Sequence, residues 1–483
     1  GSTISNMKLA TNGANKSFGL FSVIQGNSAT DHAYIKNLII SGITIETPDK
    51  NTSYGGTTNI GLLIGKANGN VDIENVTVSG GSISHDATTT GGNYIGALVG
   101  LLSNDNNTVS GCTVKNNVSI STGEAEKKDF QVGGLVGNAA NNALIKDNTV
   151  TVSISLAEST SGNNYIGGLV GYAKGSNSTA STTLPMGKRV VVKGNTVTPT
   201  ITMKGQVVTA SLALGGLFGY ADNHVNIINN KVTSPAISVT NNIKNASYVG
   251  GAIGYMNANS YADGMTVSGG SISGPTSENK QIKNNVVFFV GGFIGQQNSS
   301  GATPAYVTNV FRNIAVTGIN INLGKYVPAT TITNHKFAVG GIAGCVNAPN
   351  KDVNGFCGMP ENIIFKGGKI YAPYATTSPT VSNFNASNPS HNTMTTEVVV
   401  TIDALDKAKT KTWYYSDYEL GLSPDLLSGT KEYGFTLTAK DQFRRNYTSS
   451  ATITVRDGIS YLTVNNSTFQ KSNRYQDSER DSK

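Results

Sequence analysis

The sequence predicts an all-β protein, in which a right-handed parallel β-helix of about nine coils precedes a small antiparallel β-sandwich. Three observations predict this fold class. A glycine-centred motif, φ-G-[GA]-φ-φ-G with φ apolar, recurs along the first three quarters of the 483 residues. A second motif of six residues recurs between its copies. Charged and aromatic residues become denser after about residue 376.

The glycine motif fixes the repeat. Its clear copies are Ile60–Gly65, Ile95–Gly100, Val132–Gly137, Ile166–Gly171, Leu214–Gly219, Val249–Gly254, Val290–Gly295 and Val339–Gly344, with a degenerate copy at Phe18–Val23. The clear copies begin 35, 37, 34, 48, 35, 41 and 49 residues apart. Self-similarity at this period indicates a solenoid, in which each coil packs only on its neighbours.

The hexamer, [IV]-x-[NGD]-x-T-[VIL], predicts a bend in every coil. Its copies are Ile73–Val78, Val109–Val114, Ile145–Val150, Val192–Val197 and Ile227–Val232, with weaker ones at Ile4–Leu9, Ile35–Ile40, Ala262–Val267, Val307–Arg312 and Pro360–Phe365. The third position always holds Asn, Gly or Asp, the residues that tolerate a left-handed backbone. We therefore expect one bend to align Asn6, Asn37, Asn75, Asp147, Asn229 and Asn309.

Short alternating segments such as Val152–Leu156 follow each hexamer, so each coil is expected to carry about three strands. Parallel crossovers favour a right-handed helix. In the glycine motif, positions 1, 4 and 5 are all apolar, which predicts either an outer cover or a bulge at the glycine pair; the bulge is favoured. The fourth position predicts a buried column of Leu98, Leu135, Leu169 and Leu217.

The run [IV]-x-N-x-x-V followed by G-G-L-[VI]-G resembles the GLUG-motif repeats of bacterial cell-surface and secreted proteins over residues 1–375. The resemblance implies a non-enzymatic, adhesin-like protein with an extracellular or cell-surface location, which binds glycans or cell-surface proteins. It implies no catalytic residues. A metallopeptidase that carries such repeats would need H-E-x-x-H, whereas His32, His85, His224, His335 and His391 are isolated in this sequence.

Residues 376–395 are expected to be a linker or lead-in strand, 396–465 a sandwich domain, and 466–483 a polar disordered tail. The segment Tyr433–Val455 resembles a bacterial Ig-like domain, although the glycine of the usual D-x-x-G-N turn is missing. Trp413 with Tyr414, Tyr415 and Tyr418 is a candidate ligand-binding platform. The alternative is that these rings form the sandwich core.

Composition sets further limits. A net charge of +7 scattered over 483 residues indicates a solvated surface rather than a nucleic-acid footprint. No apolar run approaches the ~20 residues of a membrane span. Cys112, at the fourth hexamer position, is expected in the core. Cys345 and Cys357 form either a disulfide or two free thiols, and no cofactor or metal motif is found.

Two alternative functions make other demands on the sequence. A polysaccharide lyase or glycoside hydrolase, common on β-helices, needs paired carboxylates, and the nearest group is Asp72 with Glu74, plus Asp147 two repeats away. A solvated face is the simpler interpretation of these three residues. An ice- or surface-binding protein needs regular threonine ladders. Thr77, Thr113, Thr149 and Thr196 align, but Lys231 and Phe311 are expected to interrupt the column.

The N-terminus begins inside a hexamer copy, Ile4–Leu9. We therefore expect an uncapped first coil that associates end to end or leaves residues 1–25 frayed. The chain is accordingly expected to be a segment of a longer surface protein.

Overall fold

The structure is a computed structural model. It describes residues 2–10, 16–47, 53–86, 88–123, 129–156, 162–175, 189–204, 210–257, 260–298, 311–329, 336–347, 361–378, 381–384, 397–402, 410–414, 432–440, 446–456 and 459–464. Side-chain surroundings are described within residues 2–375. Nothing in the described part of the chain forms an apolar helix of membrane-spanning length.

From Ser2 to Phe384 the chain winds through parallel strands that stack coil upon coil into three sheets. The predicted all-β solenoid of stacked parallel strands is therefore confirmed. The first sheet carries the hexamers. Before the hexamer bend it contains Ala33–Lys36, Val71–Glu74, Thr108–Ser110, Leu144–Lys146, Val190–Lys193, Val225–Ile228 and Tyr261–Asp263.

After that bend the first sheet contains Ser2–Ser5, Lys8–Ala10, Leu38–Glu46, Thr77–His85, Thr113–Thr122, Thr149–Leu156, Thr196–Met203, Lys231–Thr233, Ala236–Val239, Thr266–Ser268, Ser271–Ser273, Asn320–Asn322 and Lys369–Tyr371. Phe311–Thr317 and Glu361–Lys366 run through the bend. Two short parallel pairs lie beside the sheets, Ser53–Tyr54 with Thr88–Thr89 and Lys280–Ile282 with Tyr326–Pro328.

The second sheet contains Ser17–Phe18, Thr58–Gly61, Asn93–Gly96, Phe130–Gly133, Asn164–Gly167, Leu212–Gly215, Ser247–Gly250, Phe288–Gly291, Phe337–Gly340 and Thr376–Ser378. The third contains Phe21–Ile24, Ile64–Asn68, Val99–Ser103, Val136–Ala140, Val170–Lys174, Phe218–Ala221, Ile253–Met256, Ile294–Asn298, Ala343–Asn347 and Val381–Phe384. The parallel pairing thus continues beyond residue 375, into the segment expected to be a linker or lead-in strand.

Each glycine motif is a corner between the second and third sheets, so the prediction of a single bulged strand is wrong. In the second clear copy, one strand ends at Gly96 and the next begins at Val99. Because the chain turns between them, Ile95, Leu98 and Val99 are all fully buried. The turn between two sheets therefore directs all three apolar residues into the core, and no outer cover is needed.

The glycines of the corner are required by backbone packing between the two sheets. A Cβ on Gly100 would clash with the backbone nitrogen of Ile60 and lie 2.6 Å from the carbonyl oxygen of Gly65. A Cβ on Gly134 would lie 2.6 Å from the Val152 side chain in the interior. Contacts this short leave no room for any side chain, so the motif is glycine-rich for steric reasons.

The fourth motif position forms the predicted buried column. Leu98, Leu135, Leu169 and Leu217 are each 0% exposed. The N–H of Leu98 donates to the carbonyl of Leu135 at 3.0 Å, Leu135 to Leu169 at 2.9 Å, and Leu169 to Leu217 at 3.0 Å. The column prediction is confirmed.

The hexamer bend also lies where predicted. Its third position is left-handed, with φ of 56° at Asn37, 55° at Asn75, 57° at Asp147 and 52° at Asn229. Pairing of the flanking strands stacks these residues, with glycines at the intervening coils. A Cβ at Gly111 would lie 2.5 Å from Asn75 Oδ1. The Asn75 side chain therefore occupies the space beside Gly111 in the next coil, and only glycine leaves room for it.

Two members of that predicted column need correction. Ser2–Ser5 pairs with the start of Leu38–Glu46, which places Asn6 opposite Gly42 at a second left-handed bend, with φ of 56° and 61°. Asn309 lies outside the described residues, and Asn313, with φ of 54°, takes the position opposite Gly264. The second bend was missed because both bends favour the same residue types.

The threonine column likewise differs from the expectation. Phe311 pairs with Ala262 before the bend, and the residue that follows Thr266 in the column is Ala315. Only Lys231 of the two expected interruptions is in the column.

Three asparagines occupy the core at the fourth hexamer position. Asn148, Asn195 and Asn230 are at most 1% exposed, and Cys112 and Met265 hold the same position at either end. Asn148 Nδ2 donates to Asn195 Oδ1 and Asn195 Nδ2 to Asn230 Oδ1, each at 2.8 Å. The N–H groups of Cys112 and Asn148 also donate to the next amide oxygen, at 2.8 and 3.0 Å. The buried amides therefore form a continuous ladder.

The C-terminal strands are Glu397–Ile402, Thr410–Tyr414, Glu432–Lys440, Asn446–Arg456 and Ile459–Val464. All four pairings are antiparallel, and the strand Thr410–Tyr414 lies at one edge of the five-stranded sheet. A second sandwich layer is not seen among the described strands. The predicted tail, residues 466–483, lies outside the described residues.

Leu135→Ala should lower the local free energy of unfolding by about 2–5 kcal/mol, because it leaves a cavity in a closely packed column. Hydrogen exchange should accelerate in the coils of Leu98 and Leu169 and remain unchanged in distant coils. The exposed Lys115→Ala is the matched control. Equal protection in the two variants would contradict the column.

Candidate functional site

Five tyrosines form a cluster on the outer side of the glycine corners, here called the tyrosine cluster: Tyr165, Tyr172, Tyr220, Tyr248 and Tyr255. Tyr165 and Tyr248 immediately precede the motif in the second sheet, and the other three immediately follow its last glycine in the third. Tyr172, Tyr220 and Tyr255 stack in register on successive coils. All five rings are partly exposed, so the cluster is an aromatic surface over three coils.

The rings pack mainly edge to face. Tyr220 is the hub, with ring centroids 4.8 Å from Tyr165, 5.5 Å from Tyr172 and 4.8 Å from Tyr255, at interplanar angles of 82°, 87° and 79°. Tyr248 extends the cluster, 4.8 Å from Tyr255. Such pairs are favourable beyond the area they bury, which holds the rings in fixed orientations.

One buried carboxylate anchors the cluster. Asp222 accepts hydrogen bonds from Tyr172 Oη at 2.7 Å and Asn257 Nδ2 at 2.9 Å, and its Oδ2 lies 3.3 Å from Lys174 Nζ. Burial alone would raise the pKa of Asp222, but the hydrogen bonds from Asn257 and Tyr172 and the Lys174 ammonium together lower it. The charged carboxylate therefore fixes the Tyr172 hydroxyl in place.

The phenols of the cluster are neutral hydrogen-bonding groups. Burial raises the pKa of Tyr248 to about 12 and raises those of Tyr165, Tyr172, Tyr220 and Tyr255 further. The surface thus combines partly exposed rings with hydroxyl groups that do not ionise near neutral pH. Aromatic faces with neutral hydroxyls suit uncharged ligands with alternating apolar and polar patches, such as sugars or protein side chains.

The aromatic platform predicted in the C-terminal region is described only in part. Trp413 and Tyr414 belong to the strand Thr410–Tyr414, at the edge of the antiparallel sheet. Tyr415 and Tyr418 lie outside the described residues. The platform therefore remains a prediction.

Two of the three candidate carboxylates are paired with a basic side chain from the preceding coil. Asp72 Oδ2 lies 2.9 Å from His32 Nδ1, and Glu74 Oε2 lies 3.1 Å from Lys36 Nζ. Both carboxylates share the outer face of Val71–Glu74, as expected. Asp147 is two coils away, at the bend. The three are not brought together.

An amide-lined groove of about 450 Å³ lies at the turns between the third and first sheets. It is bordered by Gln25, Ala29, Asn68, Gly69, Asn70, Asn104, Asp105, Asn106 and Asn141. Asn68 Nδ2 donates to Gln25 Oε1 at 2.7 Å, and Asn106 Nδ2 to Asn70 Oδ1 at 3.0 Å. Because these amides largely satisfy one another, the groove is a weaker candidate than the tyrosine cluster.

The cysteines described are buried thiols. Cys112 is 1% exposed, which confirms it as a core residue, and burial raises its pKa to about 11. Burial likewise raises the pKa of Cys345 to about 12, and Cys357 lies outside the described residues. Within the described ranges, no three His, Cys, Asp or Glu side chains converge on a point where a metal ion would fit.

Sequence reasoning missed the tyrosine cluster, although a signal was present. Tyrosine flanks the motif on both sides in N-Y-I-G-G-L-V-G-Y and S-Y-V-G-G-A-I-G-Y, and follows it in A-L-G-G-L-F-G-Y. The recurrence at fixed positions of a solenoid repeat predicts a stacked column. Comparison with family models, curated proteins and solved structures finds no match to this chain.

A buried histidine makes the fold sensitive to acid. His85 is 1% exposed, and its Nε2 lies 2.9 Å from Asn93 Oδ1, which also accepts from Thr58 Oγ1 at 2.7 Å. Burial lowers the pKa of His85 to about 4, with partial opposition from the Asn93 hydrogen bond. Because the unfolded chain binds the proton more readily, the stability that neutral His85 confers is complete above about pH 6.5 and declines towards pH 4.

Lowering the pH from 7 to 5 should therefore cost the coils around His85 about 2 kcal/mol. Chemical denaturation and hydrogen exchange at both pH values measure this cost. His85→Gln should flatten the local pH dependence even if it lowers stability overall. An unchanged pH slope in His85→Gln would refute the assignment.

Proposed function

We propose that this protein is a non-enzymatic, adhesin-like protein of the bacterial surface or secreted fraction, whose solenoid displays binding surfaces for glycan or protein ligands. The tyrosine cluster is the observation that carries the proposal. Its five rings are partly exposed, oriented by mutual packing, and neutral near physiological pH. Ordered aromatic groups of this kind lose little entropy on binding.

The finer architecture belongs to the same proposal. A right-handed winding follows from the preference of parallel crossovers. An Ig-like domain after the solenoid is supported by the antiparallel strand pairs in the segment that resembles such domains. In this arrangement the C-terminal domain acts as a spacer or second recognition module.

The binding proposal is tested on the whole chain with a glycan array and a panel of extracellular-matrix proteins. Tyr165→Ala and Tyr248→Ala should each lower affinity for the ligand found by about tenfold or more, because an aromatic contact of the binding surface is lost. The corresponding Phe variants, which keep the rings, should lose less. Tyr34→Ala, exposed at 57% on another face, is the control. Ligand binding that survives both Ala variants would remove the cluster from the binding site.

The alternative function, a polysaccharide lyase or glycoside hydrolase, requires Asp72 and Glu74 to act as catalytic carboxylates. Since both carboxylates are engaged by side chains of the neighbouring coil, His32 and Lys36, we expect no release of reducing or unsaturated ends from a polysaccharide panel. Colorimetric and ultraviolet assays of the purified chain measure this release. Reproducible release that is abolished by Asp72→Ala or Glu74→Ala, with the fold intact, would establish the alternative.

A further inference from the structure

A second outer surface, unrelated to the tyrosine cluster, is built almost entirely of hydroxyl groups. It is the outward side of the first sheet after the bend, from Thr77–His85 to Ser271–Ser273, here called the hydroxyl face. Over these six coils the paired outward positions are all Ser or Thr except Lys115, Lys231 and Ala236.

The centre of the hydroxyl face is formed by Thr149–Leu156 and Thr196–Met203, which pair without interruption over their whole length. In each strand the alternate residues are buried, and four hydroxyl-bearing residues point outward. Thr149, Thr151 and Ser153 are exposed. Within the described part of the chain, none of the hydroxyls of these two strands is engaged by another protein group.

The hydroxyl face has definite limits. In the coil before it, the outward positions include Ile39 and Glu46, and two coils beyond it they include Ile364 and Tyr371. Outward hydroxyls become sparser in the adjacent coils, where Ser41, Thr44 and Thr317 continue single columns. The block in which nearly every paired outward position bears a hydroxyl is about 25 Å long along the axis, at ~4.8 Å per coil. Lys115 and Lys231 are the only charged residues at its paired outward positions, and two isolated charges provide little binding for an ionic polymer.

One column of the hydroxyl face is unbroken. Its members are Ser84, Ser121, Ser155, Thr202, Ser238 and Ser273, one from each coil. A hydroxyl recurs along this line at the inter-strand spacing of about 4.8 Å. A ligand that repeats in one dimension with a similar advance would meet the same group in every coil.

We propose that the hydroxyl face binds an extended, uncharged polysaccharide whose chain runs along the solenoid axis, so that successive sugars meet successive coils. Sugar hydroxyls are both donors and acceptors, as Ser and Thr are, so each coil supplies a similar pair of hydrogen bonds. Each hydrogen bond contributes little net free energy because it replaces a hydrogen bond to water. Once the first sugar is bound, the contacts of further sugars on the same chain form intramolecularly, so the affinity increases with chain length.

A two-dimensional ligand such as an ice surface fits less well. Lys231 and Ala236 interrupt two of the columns in the same coil, which breaks a planar lattice but leaves the unbroken column intact. The inference rests on the proposed binding function and deepens it, since it names a ligand class and a surface for it.

The test uses the full chain and a triple variant, Thr198→Val, Thr200→Val and Thr202→Val. Valine keeps the branched shape and removes only the hydroxyl, so the strand should persist; circular dichroism and thermal melts check this. Thr108→Val, on the outer side of the first sheet before the bend, is the matched control. The probes are hydroxyethylcellulose, xylan, galactomannan and dextran, with alginate as the charged comparison, in affinity electrophoresis.

We expect retardation by at least one neutral polymer and not by alginate. Calorimetry with oligosaccharides of that polymer should show affinity rising with length and levelling off at about six sugars, one per coil. The triple variant should bind about tenfold more weakly than Thr108→Val. Equal binding by the two variants, affinity independent of length, preference for alginate, or inhibition of ice recrystallisation without polysaccharide binding would overturn the proposal.

The Tyr165→Ala variant separates this inference from the proposed function. If that variant loses all ligand binding while the valine variant keeps it, the hydroxyl face is not a binding site and the tyrosine-cluster proposal stands. If neither the intact chain nor the variants bind any polymer, glycan or matrix protein, the proposed function itself fails.

Discussion

The close approach of two backbones at the glycine corner is the constraint on which the rest of the structure depends. The second and third sheets meet there without intervening side chains, and a single Cβ on Gly100 would collide with both strands. This contact turns the chain so that the apolar residues on either side of the corner enter one core. It also places the residues that flank the motif side by side on the outside, where Tyr165 and Tyr172 have ring centroids 5.7 Å apart. The tyrosine cluster and the core are thus products of the same steric requirement.

Polar groups inside the solenoid are tolerated because the coils repeat. An isolated buried amide would leave unpaired donors, at a cost of about 1–3 kcal/mol. Asn195 avoids this because its neighbours in both directions are also asparagines, and Asn148 donates to it while it donates to Asn230. The same logic governs the bend, where Asn75 folds over Gly111. Because asparagine recurs at one position in successive coils, each buried amide finds hydrogen-bond partners in the neighbouring coils.

The sequence was sufficient to predict the stacked parallel architecture, the leucine column that includes Leu135, and the bend at Asn37 and Asn75, because each depends on local residue type at a fixed period. It was insufficient for the corner. The three apolar positions of the glycine motif are divided between two sheets, and the motif alone does not show where the chain turns from one sheet to the other. Asn6 was misplaced since two bends favour the same residues. The tyrosine cluster was missed because its contacts join residues on different coils, such as Tyr165 and Tyr220. The residue types of a single repeat do not specify how side chains of neighbouring coils are placed relative to one another.

The buried amide ladder also restricts how this solenoid can change its length. A coil with an apolar residue at that position, inserted between those of Asn148 and Asn195, would separate donor from acceptor and remove the hydrogen bonds that join these two residues. The same insertion beside Cys112 or Met265, where the ladder ends, would leave every hydrogen bond between the asparagine side chains intact. An added coil should therefore be less costly at the ends of the ladder than within it, unless the new coil brings its own asparagine. Three side chains thus make the positions of an apparently uniform repeat array unequal in the cost of gaining a coil.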